Sequence, residues 1–194
     1  VEVISLLNLT PVLVDVDFDS FNINIDSLES AITKKTKVII PVHLFGQAAN
    51  MEKIILLAKK YNIDVIEDTA QALGANFKFS NGKKQKVGTI GRIGTTSFFP
   101  SKNLGAYGDG GAILTNQKKI YNKILKLRNH GQRKYSQSNM IGLNSRIGSL
   151  QAAVLNKKIF KFSQKIKNQV KIYKSYQNFF EKNLISGFPK YKSG

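Results

Sequence analysis

Cysteine is absent from this chain of 194 residues, and acidic side chains are scarce, 12 against 30 lysines and arginines. The first absence excludes disulfides and thiolate metal sites and fits a reducing compartment, so a cytoplasmic location is expected. No apolar run approaches the roughly 20 residues that span a bilayer, so no membrane segment is expected either. The amino-terminal VEVISLLNLTP has neither an initiator methionine nor a basic n-region. It reads as the interior of a helix rather than as a signal peptide. The two histidines, His43 and His130, lie far apart with no ligand spacing, and no metal is expected. The glycines match neither G-x-G-x-x-G after a strand nor G-x-x-x-x-G-K-[ST], and no G-x-S-x-G elbow occurs.

The scarcity of acids leaves a formal net charge of +18. Such a charge would give salt-sensitive affinity for phosphate backbones. The lysines are nevertheless spread along the chain, only modestly denser over 118–134 and 157–174, and no helix-turn-helix, zinc-finger or RRM signature accompanies them. No nucleic-acid partner is expected.

What is present is an ordered alternation. VLVDVD (12–17) reads as a buried strand, and DSLESAI (26–32) as a helix capped by Asp26 with a glutamate three positions on. KVIIPVH (37–43) is apolar and β-branched, hence a strand. Asn50 caps a helix through Tyr61 in which Ile54, Leu57, Ala58 and Tyr61 share a face. DVIED (64–68) is the next strand, followed by a helix-starting TAQALG. A hairpin-like excursion (76–94) leads to strands TTSFF (95–99) and GGAILT (110–115). A helix over 117–131 stops at Gly131, and a longer one runs from about Ile147 to Phe180. Its apolar positions are Leu150, Val154, Ile159, Phe162, Ile166, Val170 and Tyr173. The tail SGFPKYKSG reads as turn. Strands alternating with helices over short connections predict an α/β architecture on a mostly parallel sheet.

In wound α/β sheets ligands bind beyond the carboxyl ends of the strands. Asp68 stands at one such end and Lys102 just past another, so both can face one pocket. Singly, each has a plainer explanation: Asp68 as a helix N-cap, Lys102 as a surface lysine, and Gly105, Gly108, Gly110 and Gly111 as turn residues. His43, at the end of a strand, reads equally as pocket lining and as a packed structural residue, and is not placed in the site.

Together the segments are more specific. VIEDTAQALGA (65–75), VGTIGRIGTTSFFPSKNLGAYGDGGAILTN (87–116), LRNHG (127–131) and GLNSRIGSLQAAVL (142–155) resemble, in order and spacing, the DegT/DnrJ/EryC1/StrS family of sugar aminotransferases. PVLVDVDFDSFNIN and PVHLFGQAANM match the preceding segments, so the resemblance covers nearly the whole chain.

That resemblance implies the aspartate aminotransferase (fold type I) architecture, with helices on both faces of the sheet, and pyridoxal 5'-phosphate (PLP) as cofactor. Lys102 resembles the lysine that forms the Schiff base with PLP, and Asp68 the carboxylate that pairs with the pyridinium nitrogen. Gln71 resembles the residue near the cofactor's 3' oxygen, and Ser97 a phosphate contact. Asn144 resembles the residue that reaches the phosphate of a neighbouring subunit's cofactor, which implies a homodimer with shared active sites. The implied reaction moves an amino group from an amino acid, glutamate being the expected donor, to a keto-sugar nucleotide. A PLP- or PMP-dependent sugar dehydratase is the family's other activity, but those members carry histidine in place of the lysine. A basic binding module that kept the fold without catalysis is the remaining alternative, and the presence of Lys102 and Asp68 argues against it.

Two departures stand out. Family members usually carry an acidic residue where this chain has Gly148. The family's amino-terminal phosphate-gripping turn, its ring-stacking aromatic and its small carboxy-terminal domain are expected to lie outside these residues. Residues 1–145 are therefore expected to be part of the PLP-binding large domain, and 146–194 a long helix leading toward the small one. The chain reads as roughly the middle half of such an enzyme.

Overall fold

The computed structural model describes residues 1–134 and 137–183. The turn expected at the tail lies outside the described residues. Among the described residues, five helices and eight strands follow in the order α1 (Glu2–Leu6), α2 (Ile25–Ala31), β1 (Val38–Ile39), α3 (Met51–Tyr61), β2 (Asp64–Asp68), β3 (Asn76–Lys78), β4 (Lys84–Lys86), β5 (Ile93–Ser97), β6 (Gly111–Leu114), α4 (Lys118–Leu127), β7 (Gln132–Lys134), β8 (Gln137–Ser138) and α5 (Ser149–Lys182). A short 3-10 turn at Leu44–Gly46 separates β1 from α3. Among the described residues, no helix is long and apolar enough to cross a membrane.

The central sheet runs in the order β1-β2-β5-β6. β1 and β5 pair with β2 in parallel, and β6 returns antiparallel to β5. The architecture is α/β with a mostly parallel sheet, as the alternation predicts. Period-two alternation along β2 buries Val65 and Glu67 while Ile66 and Asp68 stay half-buried. Val65 and Ile39 pack with Met51, Ile54, Leu57 and Ala58 of α3 in the main core. Helix α3 is the segment most fully legible in sequence. Asn50 Oδ1 accepts from Lys53 N at its start, and Asn62 closes it in the left-handed conformation at φ 53°. Tyr61, expected on the buried face, is 40% exposed at its last turn.

Several expectations are corrected. Residues 12–17 form no strand; Val16 makes a single antiparallel bridge with Ile23, and Val12 and Leu13 are 66% and 82% exposed. Their β-branched composition has no neighbouring strand to pair with, and a strand is stabilised by its partner rather than by propensity. The cap of α2 is Asn24, whose side chain accepts from Ser27 N, so Asp26 lies inside the first turn. Strand 37–43 is interrupted after Ile39, because Pro41 has no N–H to give a ladder. Its carbonyl still accepts from Asp68 N, and Val42 bridges Asp68. Helix α4 ends at Leu127, ahead of Gly131, whose φ of 74° serves the following turn and whose N–H donates to Lys126 O. A Cβ on Gly131 would land on the Met140 carbonyl. The segment after Asp68 forms turns through Gly74 and no helix, so Asp68 is not a helix N-cap.

Helix α5 spans 34 residues and starts from Gly148 with no side-chain cap. Leu155 is buried and Phe162 half-buried against Leu104, Ala106, Leu73 and Phe98, forming a second small core. Leu150 and Ile159, assigned to its apolar face from sequence, are 71% and 53% exposed. A helix this long offers more than one apolar stripe, and only contact decides which is covered.

Candidate active site

Beyond the carboxyl ends of β2 and β5 the chain turns sharply, and these turns carry the residues singled out in the sequence. Asp68 is the last residue of β2, in register with Thr95 of β5. Its Oδ1 accepts from Ala70 N at 2.9 Å; among the described residues this is the carboxylate's one hydrogen bond, leaving Oδ2 open. Ser97 ends β5, two residues beyond that register partner, and its Oγ accepts from Phe99 N at 3.2 Å. The hydroxyl proton remains available for donation.

Lys102 lies in a tight loop in which its own N–H donates to Phe99 O at 2.9 Å and Ala106 N donates to Phe98 O at 2.7 Å. Gly105 permits that closeness, since a Cβ there would strike the Pro100 carbonyl oxygen. The lysine is half-buried and lines an open cleft of about 1310 Å³.

Gln71 lines the same cleft. Its Oε1 accepts from Phe45 N at 2.9 Å, which assigns the amide: oxygen toward Phe45, NH₂ on the other side. Phe45, also on the cleft wall, sits at φ 54°, a costly conformation for an aromatic residue that this side-chain bond helps to hold. The opposite wall includes Ile166, Gln169, Val170 and Tyr173 of α5. Thus Lys102 and Gln71 share one cleft, while Asp68 and Ser97 terminate the adjacent strands β2 and β5 and do not line it. Asn144 stands apart, exposed and bridged to Asn129 at the end of α4.

One pair was not read from the sequence. His43 and Glu67 are completely buried, with Nε2 of the imidazole 3.0 Å from Oε2 of the carboxylate. Nδ1 accepts from Ala49 N, so the ring proton resides on Nε2 and is donated to Glu67. Glu67 also accepts from Gly88 N, Ile90 N and Gly91 N at 2.8, 2.7 and 2.7 Å. Burial pushes its carboxyl upward, but the bonds from His43, Gly91 and Gly88 outweigh this and hold it below the ordinary range. The signal in the sequence is a charged residue at an inward position of an apolar strand, next to Asp68. Its partners lie 24 and 21 residues away and could not be assigned from spacing.

Comparison with known proteins bears on the family and the fold. A family model for the DegT/DnrJ/EryC1/StrS aminotransferase family matches residues 1–190. The chain is 41% identical, over 98% of its length, to UDP-2-acetamido-2-deoxy-3-oxo-D-glucuronate aminotransferase of Pseudomonas aeruginosa, of which it covers 54%. It superposes at a TM-score of 0.86 on a DegT DnrJ EryC1 StrS aminotransferase from Brucella abortus, at 36% identity, covering 93% of this chain and 49% of that one. NtdA from Bacillus subtilis, solved with bound cofactor PMP, matches at a TM-score of 0.66 and 34% identity over 75% of this chain and 32% of its own. The chain spans about half the length, or less, of the relatives it matches. By sequence match and by fold, the chain belongs to the DegT/DnrJ/EryC1/StrS aminotransferase family.

Proposed function

We propose that the protein containing this chain is a PLP-dependent aminotransferase that moves an amino group from an amino acid, glutamate, to the ketone of a nucleotide sugar in amino-sugar biosynthesis in the cytoplasm. The observation that carries this reading is that Lys102 and the open amide donor of Gln71 line one cleft, with Asp68 and its open Oδ2 at the end of β2, three residues ahead of Gln71.

The residues fit the cofactor by their chemistry. Asp68 supplies an anionic acceptor for a pyridinium N–H, Gln71 a donor for a ring oxygen, and Ser97 a hydroxyl donor for phosphate. Lys102 would hold the group covalently through Nζ. When bound, the cofactor supplies an electron sink that stabilises negative charge at the substrate carbon. With its amine free, Lys102 Nζ would accept the proton from Cα of the amino acid and would deliver it to the cofactor carbon rather than back to Cα, which is general base and then general acid work at one atom. The Asp68 charge would favour the protonated form of the ring nitrogen.

Asn144 faces outward and is exposed, which fits a role toward a second copy of the protein rather than toward its own cleft. A homodimer with shared sites is therefore part of the proposal. The sugar dehydratase alternative is disfavoured because the loop carries lysine, not histidine, at position 102.

The test is reduction of the full-length enzyme with borohydride in the presence of PLP, followed by peptide mapping. The label is expected on Lys102 alone, and Lys102→Ala is expected to abolish amino transfer to keto-sugar nucleotides. A label on any other lysine would overturn the assignment.

A further inference from the structure

The loop that presents Lys102 contains no regular secondary structure, so its backbone polar groups need partners from elsewhere. Helix α5 supplies them from one face. Lys165 Nζ donates to Asn103 O at 2.8 Å, and Lys158 Nζ donates to Gly105 O at 2.7 Å. Tyr107 N donates to Gln151 Oε1 at 2.8 Å, and Gln169 Nε2 donates to Asn103 Oδ1 at 3.1 Å. Lys158 Nζ also lies 4.6 Å from the centre of the Tyr107 ring, over its face.

Positions 151, 158 and 165 are seven apart, two helical turns, and therefore line up along one stripe. Between them Leu155 and Phe162 pack on Leu104 and Ala106 of the same loop. Residues 103–107 are thus gripped by polar contacts at both ends and apolar contacts in the middle. Within the turn itself, the Lys102 and Ala106 amides donate to Phe99 O and Phe98 O.

Resting on the aminotransferase reading above, we propose that Lys158 and Lys165 are positioning residues for Lys102: two ammonium groups on α5 clamp the carbonyls of Asn103 and Gly105 and so hold the Lys102 amine at its reacting position. Charge-assisted hydrogen bonds suit this task because they are shorter and stronger than neutral ones. Helix α5 also forms a wall of the cleft through Ile166, Val170 and Tyr173. One rigid element therefore sets both the reactive lysine and the space facing it.

The test uses the full-length enzyme and the double variant Lys158→Met/Lys165→Met, which keeps the stems and removes the charges. The rate of reductive trapping of PLP on Lys102 is expected to fall about tenfold, the equivalent of one lost charge-assisted bond. Hydrogen exchange at the Lys102 and Tyr107 amides, measured without cofactor, is expected to rise about tenfold, as expected for local opening. Lys158→Arg/Lys165→Arg, which keeps donors for both carbonyls, is expected to restore both readouts to within about threefold. The control Lys157→Met/Lys161→Met, which removes two exposed charges from the same helix, is expected to change neither. If the double methionine variant does not fold, Gln151→Ala takes its place, with the same rise in exchange at both amides. Wild-type trapping and exchange in the double methionine variant, or failure of the arginine pair to restore them, would overturn the clamp. Absence of trapping in the wild-type enzyme would instead overturn the aminotransferase reading, and the exchange measurements would still decide the clamp.

Discussion

His43 and Glu67 come from two neighbouring segments of the chain and meet with no exposure to solvent, Nε2 to Oε2 at 3.0 Å. The carboxylate accepts three backbone N–H groups from the turn 88–91 besides the imidazole, so a single buried anion ties that turn to the end of β2. Asp68 is the next residue. The pair is thus the foundation under the carboxylate proposed above as the partner of the pyridinium nitrogen.

Glu67→Gln is expected to destabilise the protein by about 3 kcal/mol, because the new NH₂ faces donors and leaves some of them unpaired in the interior. Thermal or urea unfolding measures this. A cost below about 0.5 kcal/mol would show that the network contributes little.

The same group gives a pH dependence whose sign is fixed. The folded-state carboxyl of Glu67 is held below its ordinary value of 4.5. Its contribution is therefore complete above that value and is lost as the pH falls through the lower folded-state value. Wild-type stability is expected to drop on acidification below about pH 4.5, and Glu67→Gln to show a shallower drop over the same window. Parallel profiles would remove Glu67 from the acid response.

Asp68→Asn preserves an acceptor for Ala70 N but removes the negative charge. PLP is expected to remain bound to the full-length enzyme, while the single-turnover half-reaction with glutamate slows about a hundredfold, close to 3 kcal/mol in the barrier. A wild-type rate would reduce Asp68 to a turn-stabilising residue.

Gly148→Asp is expected to stabilise α5. Gly148 occupies the N-cap at φ −64° and ψ 142°, with no atom within 4 Å of the space a Cβ would take. An aspartate there can accept a first-turn N–H and oppose the helix dipole, together worth about 0.5–1 kcal/mol. The melting temperature should rise by about 2 °C. An unchanged or lower value would show that the first turn of α5 is already satisfied in another way.

Local chemistry made much of this protein legible in advance. Asn50 is a short polar acceptor followed by an amphipathic run, and α3 begins where that pattern says. The run DVIED is β2 residue for residue, since a β-branched segment between turn signals leaves few other states. The order and spacing of VIEDTAQALGA and SFFPSKNLGAYGDGG identified the family, and with it Lys102, Asp68, Gln71, Ser97 and Asn144 as the residues to examine. Tertiary structure decided the rest, because each remaining question concerned partners distant in sequence. VLVDVD has strand-forming residues but meets no strand, so it is not one. Leu150 and Ile159 are as apolar as Leu155 and Phe162, yet only the latter pair finds Leu104 and Ala106 beneath it. Glu67 is sealed and satisfied only because His43 and the turn at 88–91 arrive from elsewhere in the chain. The grip of Lys158 and Lys165 on the Lys102 loop spans 53 and 62 residues. Propensity and motif act over a few residues, whereas burial and hydrogen-bond pairing are settled only when the whole chain has closed around them.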